Sequence, residues 1–229
     1  MRNQYSDLLK RAISYRQRMN MTQMEVSEEL GITQGQFSKM EQGKTIYPHK
    51  VLCGLYAMKW DMDHIITGRE YSHTLSEVCA ILENLEETQY QEMLGLVVWS
   101  LMQGLKKSKA ELDRELQVEV ELLKHRANES EKNTLLYALR IISRVSQIPM
   151  SEKLGVNIKK YRMLERNEVN PDAELLMRIY EVTGCKPSLL LEPEKAEEMI
   201  INDLWNLVDI RFREEILILL KQGVSMLTK

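Results

Sequence analysis

The chain writes one pattern twice. MTQMEVSEELGI followed by MEQGK returns, at an offset of 124 residues, as VSQIPMSEKLGV followed by LERNE. Thr22-Gln23 becomes Ser146-Gln147, Leu30-Gly31 becomes Leu154-Gly155, Glu41 becomes Glu165 and Tyr56 becomes Tyr180. The correspondence runs from Arg16 to Gly68 and from Arg140 to Glu192. The same residue types at the same spacing must satisfy the same turns and bury the same faces, so a repeat of this length constrains architecture before chemistry. It leaves open whether both copies do one job or one has been released for another.

The residues between the repeated signposts predict helices. Leu, Met, Glu, Lys and Gln are strong helix formers, β-branched runs are few, and there are five prolines, so the chain reads as all-α. A first helix spans Tyr5 to Arg18, with Leu8, Leu9, Ala12, Ile13 and Tyr15 as its apolar stripe. Thr22, with Glu25 three residues on, has the form of a capping box for a helix from Gln23 to Leu30, and Gly31 suits a left-handed end. Thr33 caps a third helix through about Gln42, and Gly43 ends it. Pro48 starts a fourth, with Val51, Leu52, Leu55 and Met58 facing inward, and Asp61 to Ile66 makes a fifth, stopped by Gly68. In the second copy Ser146 and Asn157 take the capping positions. Asn170-Pro171 starts the fourth helix with Pro at its first position, and Pro187 to Leu191 is the fifth.

Each copy is followed by further helical sequence. Leu85, Tyr90, Glu92 and Leu96 align with Leu207, Phe212, Glu214 and Ile218 at an offset of 122, as a helical hairpin repeated behind each copy would. Leu94, Val97, Val98, Leu101 and Met102 read as core of that scaffold. Ser108 and Glu111 form a second capping-box pattern, ahead of Leu112, Leu116, Val120 and Leu123 at helical spacing, which predicts one long amphipathic helix over Ser108–Glu129. The polar Ala127–Asn133 stretch marks the boundary before the second copy. The expected segments are 1–70, 71–129, 130–192 and 193–229.

Bulk properties narrow the function. At 229 residues the chain is long enough for two cores. Its three cysteines, Cys53, Cys79 and Cys185, have no metal-ligand spacing, which suits reduced thiols. Met1–Lys10 is polar, and no apolar stretch approaches the ~18–20 residues that span a bilayer. The expectation is a cytoplasmic protein away from the membrane. A net charge of −3 counts against nucleic acid over the whole chain, but the charge is segregated. Residues 1–50 hold eight basic side chains against five acidic, and 140–170 hold seven against three. Basic motifs therefore sit on an acidic frame. No Ser-His-Asp, Cys-His or carboxylate pair stands at readable spacing and no Gly-rich phosphate loop is present, so neither an enzyme nor a cofactor is expected. His64, His73 and His125 read as isolated surface residues, and His49 as near the groove-facing edge.

Arg16, Thr22, Gln23, Leu30, Gly31, Thr33, Phe37, Met40, Glu41 and Gly43 carry a resemblance. In type and spacing they resemble the helix-turn-helix of the phage lambda-repressor and Cro-like (XRE-type) DNA-binding domains. The resemblance covers about Leu8 to Gly68, with a weaker form over about Leu135 to Glu192. It implies two tandem five-helix domains of this type, each followed by association helices, in a sequence-specific transcriptional regulator, in the first instance a repressor. Double-stranded DNA is the implied partner. Homodimerisation through added helices is expected, with the run Ile216–Leu220 as a candidate interface.

A recognition helix must fit a major groove about 12 Å wide and present its N-terminal residues to base edges. With Thr33 at its start, the outward positions are Thr33, Gln34, Gly35, Ser38 and Lys39, and Gln36 joins them as a candidate contact. Gln34 has the chemistry to pair bidentately with adenine, and Lys39 to reach guanine. The resemblance places base contacts at Thr33, Gln34, Gly35 and Lys39, a backbone clamp at Gln23, and further phosphate contacts at Gln42 and Lys44. Gly35 leaves one reading position blank. The resemblance also implies a partly buried ion pair between Arg16 and Glu41 that ties helix one to helix three. Arg140 and Glu165 repeat the same 25-residue separation.

The second copy departs on the reading face. Ile158 stands for Gln34 and Met163 for Lys39, and neither can hydrogen-bond a base edge. Gln147 is kept, while Lys159, Lys160, Arg162 and Arg166 make the helix more basic. Two readings stay open. The copy binds DNA through phosphates, or it is a retired reader used for dimerisation or for binding a protein or peptide through exposed Ile158 and Met163, as in an antitoxin-like or peptide-sensing regulator.

Overall fold

A computed structural model describes residues 2–71, 76–129 and 133–228. The described residues are all-helical, without a strand. Chain order runs α1 (Arg2–Arg18), α2 (Gln23–Glu29), α3 (Gln34–Glu41), α4 (His49–Ala57), α5 (Met62–Thr67), α6 (Glu77–Leu82), α7 (Glu87–Ser108) and α8 (Arg114–Asn128). It continues with α9 (Leu135–Ile142), α10 (Gln147–Lys153), α11 (Ile158–Glu165), α12 (Ala173–Thr183), α13 (Pro187–Leu191), α14 (Ala196–Leu207) and α15 (Ile210–Leu227). The sequence offset of 124 persists in the helix boundaries. Added to α2 and α3 it gives both ends of α10 and α11, and added to the start of α4 it gives the start of α12.

Two compact units form, each drawn from two stretches of chain: Met1–Tyr71 with Ser146–Pro193, and Ser72–Val145 with Glu194–Lys229. In the first unit, Leu8 and Ala12 of α1, Val26 of α2, Phe37 and Met40 of α3, and Val51, Leu52 and Leu55 of α4 are buried together with Tyr47, Trp60, Ile65 and Ile66. Arg11 of α1 donates to the carbonyls of Ile65 and Ile66 at 2.9 and 3.1 Å, which satisfies the otherwise unpaired end of α5. The capping residues act as their chemistry predicts. The Thr22 hydroxyl accepts from the Glu25 N–H while the Glu25 carboxylate accepts from the Thr22 N–H, a reciprocal pair that holds Glu25 below the usual carboxylate range.

The same unit contains α10 to α13 and a seam between the copies. There α12 packs on α5, α13 packs on α4, and α13 packs on α5. The Ala173 N–H donates to the Tyr47 carbonyl at 3.0 Å. The buried Asp63 carboxylate accepts from the Ser188 N–H at 2.8 Å and the Ser188 hydroxyl at 2.6 Å. Burial raises the Asp63 pKa, opposed by those two bonds and by Lys186.

Two expectations need correction here, and a third holds in position but not in its side-chain bond. Pro171 is not the first residue of α12. Asp172 is the N-cap, its carboxylate accepting from the Leu175 N–H at 2.9 Å, a bond no proline side chain can offer. Ser146 stands at the N-cap of α10 without a side-chain bond. The residue that would donate is Pro149, which has no N–H. His49, expected at the groove-facing edge, is half-buried in α4, near Cys53 and the Leu190 backbone, and burial lowers its pKa.

In the second unit α15 packs along α7 and α6, α14 on α6, α7 and α8, and α9 on α8. Leu94, Val97 and Leu101 are core, while Val98 and Met102 are half-buried. The long helix expected over Ser108–Glu129 is shorter. Ser108 closes α7, its hydroxyl donating to the Gly104 carbonyl at 2.7 Å, and Lys109 turns into the left-handed region. Asp113 then caps α8 by accepting from the Leu116 N–H. A carboxylate one turn downstream displaces the expected Ser108–Glu111 box. Ile216 and Leu220, proposed within an interface run, are buried inside this unit, whereas Ile218 is exposed. Trp99, Phe212 and Leu219 line a hollow of about 220 Å³ on the α7–α15 face. His64 and His125 are half-buried rather than at the surface, and His73 lies outside the described residues.

Candidate nucleic-acid interface

The α2–α3 pair is built around a tight turn. Gly31 takes φ +63° between the helices, a conformation that costs a side-chain-bearing residue more than glycine, and Gly155 does the same between α10 and α11. The Thr33 hydroxyl then accepts from the Gln36 N–H, and the Gln36 side-chain oxygen accepts from the Thr33 N–H at 2.9 Å. Gln36 therefore works as half of a cap. The inner side of α3 is fixed by buried Phe37, Met40 and Glu41. Its outer side leaves Gln34, Gly35, Gln36 and Lys39 exposed and Ser38 half-buried. Gln42 and Lys44 are exposed just beyond, with the Gln42 amide donating to the Ser38 hydroxyl at 3.0 Å. A Cβ added to Gly35 would meet nothing within 4 Å, so this outward position is open space.

A polar chain links that outer face to the core. The Arg16 guanidinium donates to both Glu41 oxygens, at 2.7 and 3.1 Å, and to the Met21 carbonyl at 2.8 Å. These bonds to Glu41 raise the Arg16 pKa and keep it charged. The Gln23 amide donates to Glu41 at 2.6 Å, and the Gln34 amide donates to the Gln23 side-chain oxygen at 2.9 Å. Gln34 keeps its carbonyl oxygen and one amide hydrogen for a further partner, the two groups a bidentate contact to adenine requires. The side chain is thus held in place from behind, which reduces the rotamer entropy lost when it meets a partner.

The second pair shares the inner half of this chain and changes the outer half. The Gln147 amide donates to buried Glu165 at 2.5 Å, and the Tyr161 hydroxyl donates to the same carboxylate at 3.1 Å. Where Gln34 holds Gln23, the guanidinium of Arg162 holds Gln147, Nε to Oε1 at 3.2 Å. Arg166 lies 3.3 Å from Glu168, and Lys159 and Lys160 are exposed. Ile158 and Met163, expected to be exposed, are half-buried. The exposed apolar residue is instead Ile148 on α10, and its counterpart Met24 on α2 is equally open. Arg140 belongs to the second unit, where its guanidinium lies 5.1 Å from the centre of the Tyr137 ring.

Two features escaped sequence reasoning. One is the Glu41–Gln23–Gln34 relay, for which the only sequence signal was polar residues 18 and 11 positions apart. The other is the Asp63–Ser188 contact, in which Asp63 reads as an ordinary first-turn acid.

Among the described residues no cluster of three or more His, Cys, Asp or Glu could hold a metal ion, and no helix is long and apolar enough to cross a membrane. Cys53, Cys79 and Cys185 form no disulfide, and burial pushes the Cys79 thiol up to about 11, away from the thiolate a nucleophile needs. Comparison with protein-family models, curated proteins and solved structures finds no match for this chain.

Proposed function

We propose that this chain is a sequence-specific DNA-binding transcriptional regulator, of the lambda-repressor and Cro-like helix-turn-helix kind, with repression as its expected sense. Its reading element is the segment Thr33–Gln42. One observation carries the proposal: α3 is buried on its inner side and bare on its outer side, and the bare side presents a glutamine pre-positioned through Gln23 and Glu41 from the core. Lys39 and Lys44 are exposed at the end of the same helix, where they suit the phosphates flanking a groove. The α10–α11 pair repeats the scaffold without the amide that would read a base.

The test is selection of bound duplexes from a random library by the full chain over a salt series. An enriched motif that survives rising salt supports base reading. Flat, steeply salt-sensitive binding with no enriched sequence refutes it, because phosphate contacts alone give affinity without sequence preference.

A second reading has its own observation. Trp99 and Ile218 on the α7–α15 face, with the hollow beside Phe212, are apolar surface suited to a protein or peptide partner. On that reading the added helices sense the partner. The two readings divide on whether DNA selection yields a motif.

A further inference from the structure

Among the described residues, three helix contacts dominate the seam within the first unit: α5 with α12, α4 with α13, and α5 with α13. The 124-residue repeat makes α12 the counterpart of α4, and α13 that of α5. Exchange the two copies and this set maps onto itself. The first two contacts trade places, and the third pairs counterpart with counterpart. At the level of whole helices that is the pattern of an isologous interface, in which both partners use the same patch. A head-to-tail packing would give one of the first two contacts without the other.

The seam is also closed. Ile65, Ile66, Leu189 and Leu191 are buried, Asp63 is spent on Ser188, and the Tyr47 carbonyl is spent on Ala173. The α4–α5 face of the first copy is therefore occupied from within the chain. A second chain cannot use that face to pair first copy with first copy.

From this we infer that the first unit is a pseudo-dimer, formed within one chain, of α2–α5 from the first copy and α10–α13 from the second. A single molecule occupies a single operator, with α3 reading bases in one major groove and α11 gripping the phosphates of the neighbouring turn. A two-fold pair of recognition helices engages sites about one helical turn apart, roughly 34–36 Å. The chemistry of α11 fits the phosphate role. Lys159, Lys160, Arg162 and Arg166 are all exposed, and Ile158 replaces the amide that reads bases in α3. The operator is consequently asymmetric, with sequence information in one half and charge alone in the other. The inference rests on the proposed role of α3.

The experiment uses the full chain on its own selected duplex. Native mass measurement is expected to give one chain per duplex, and the selected motif is expected to lack two-fold symmetry. Hydroxyl-radical footprinting is expected to show protection extending about one turn beyond the motif on one side only. The double variant Lys159→Ala, Lys160→Ala removes two exposed cations outside the core. It is expected to lose that one-sided protection, to weaken binding equally whatever the flanking sequence, and to reduce the salt slope by about two, one for each phosphate no longer neutralised. The selected motif stays unchanged. Two chains on a palindromic motif, or a double variant with unaltered footprint and salt slope, overturns the pseudo-dimer while leaving base reading by α3 intact. Absence of any enriched motif overturns both.

Discussion

The α2–α3 and α10–α11 pairs differ least where they are buried and most where they are bare. Each holds a buried glutamate, Glu41 or Glu165, that accepts from a glutamine at the first position of the preceding helix. Each turns at a glycine with positive φ. Yet the outward oxygen of that glutamine is held by Gln34 in one pair and by Arg162 in the other. Buried polar groups must be satisfied or they cost stability, so the inner half of the network tolerates little change. The outer half is in contact with water and is free to diverge. A repeat can thus preserve a scaffold in both copies while the outward chemistry of the two diverges.

The largest expected effect tests the shared inner half. Glu41→Ala strands the Arg16 guanidinium and the Gln23 amide, and urea unfolding is expected to show a loss of about 3–5 kcal/mol, the usual cost of breaking a buried ion pair. Glu165→Ala leaves the Gln147 amide and the Tyr161 hydroxyl without their acceptor, at about 1–3 kcal/mol for each buried donor. A loss below ~1 kcal/mol for either would separate the two scaffolds.

Next comes the seam that joins them. Asp63→Ala leaves the Ser188 N–H and hydroxyl without their acceptor, at about 1–3 kcal/mol for each buried donor. Asp63→Asn, which keeps one acceptor oxygen, is expected to cost less in the same urea titration. Equal losses would show that the hydrogen bonds are not what the carboxylate contributes.

A pH effect distinguishes the copies more finely. His49 opens α4, while its counterpart opening α12 is Ala173. Burial lowers the folded-state pKa of His49 below its unfolded value, so the neutral form is favoured by folding. The associated stability is present above the unfolded pKa of about 6.5. It is lost as pH falls through that value toward the lowered folded one. His49→Ala is expected to flatten the stability–pH curve in this window, and a curve of unchanged slope would show that His49 does not set it.

The smallest effect concerns caps. Thr22→Ala is expected to cost about 0.5–2 kcal/mol because a real side-chain cap is removed. Ser146→Ala is expected to stay within about 0.5 kcal/mol, because Pro149 leaves its hydroxyl no N–H to accept. Thermal unfolding of both variants checks the pair.

Local features were legible in the sequence because their physics is local. Thr22 with Glu25, Thr33, Gly31 and Gly68 each mark a helix end through atoms a few residues away, and they sit where expected. The Arg16–Glu41 pair was legible through its resemblance-implied role and its spacing. Errors arose where two local signals competed, as when Asp113 took the cap expected of Ser108 and Asp172 the start expected of Pro171. What could not be read was the seam. Nothing near Asp63 announces Ser188, 125 residues away, because the contact depends on how α4 and α5 meet α12 and α13. Half-burial of Ile158 and Met163 escaped for the same reason, since helical spacing tells which residues share a face but not how much of that face is covered.

The central claim is that α3 reads sequence and α11 does not. It is tested most directly by repeating the site selection with Gln34→Ala and Ile158→Ala in the full chain. Gln34→Ala is expected to weaken binding to the selected site by about 1–3 kcal/mol and to relax preference at one base position. Ile158→Ala is expected to leave the motif as it was. A motif indifferent to Gln34, or one that changes with Ile158, would contradict the claim.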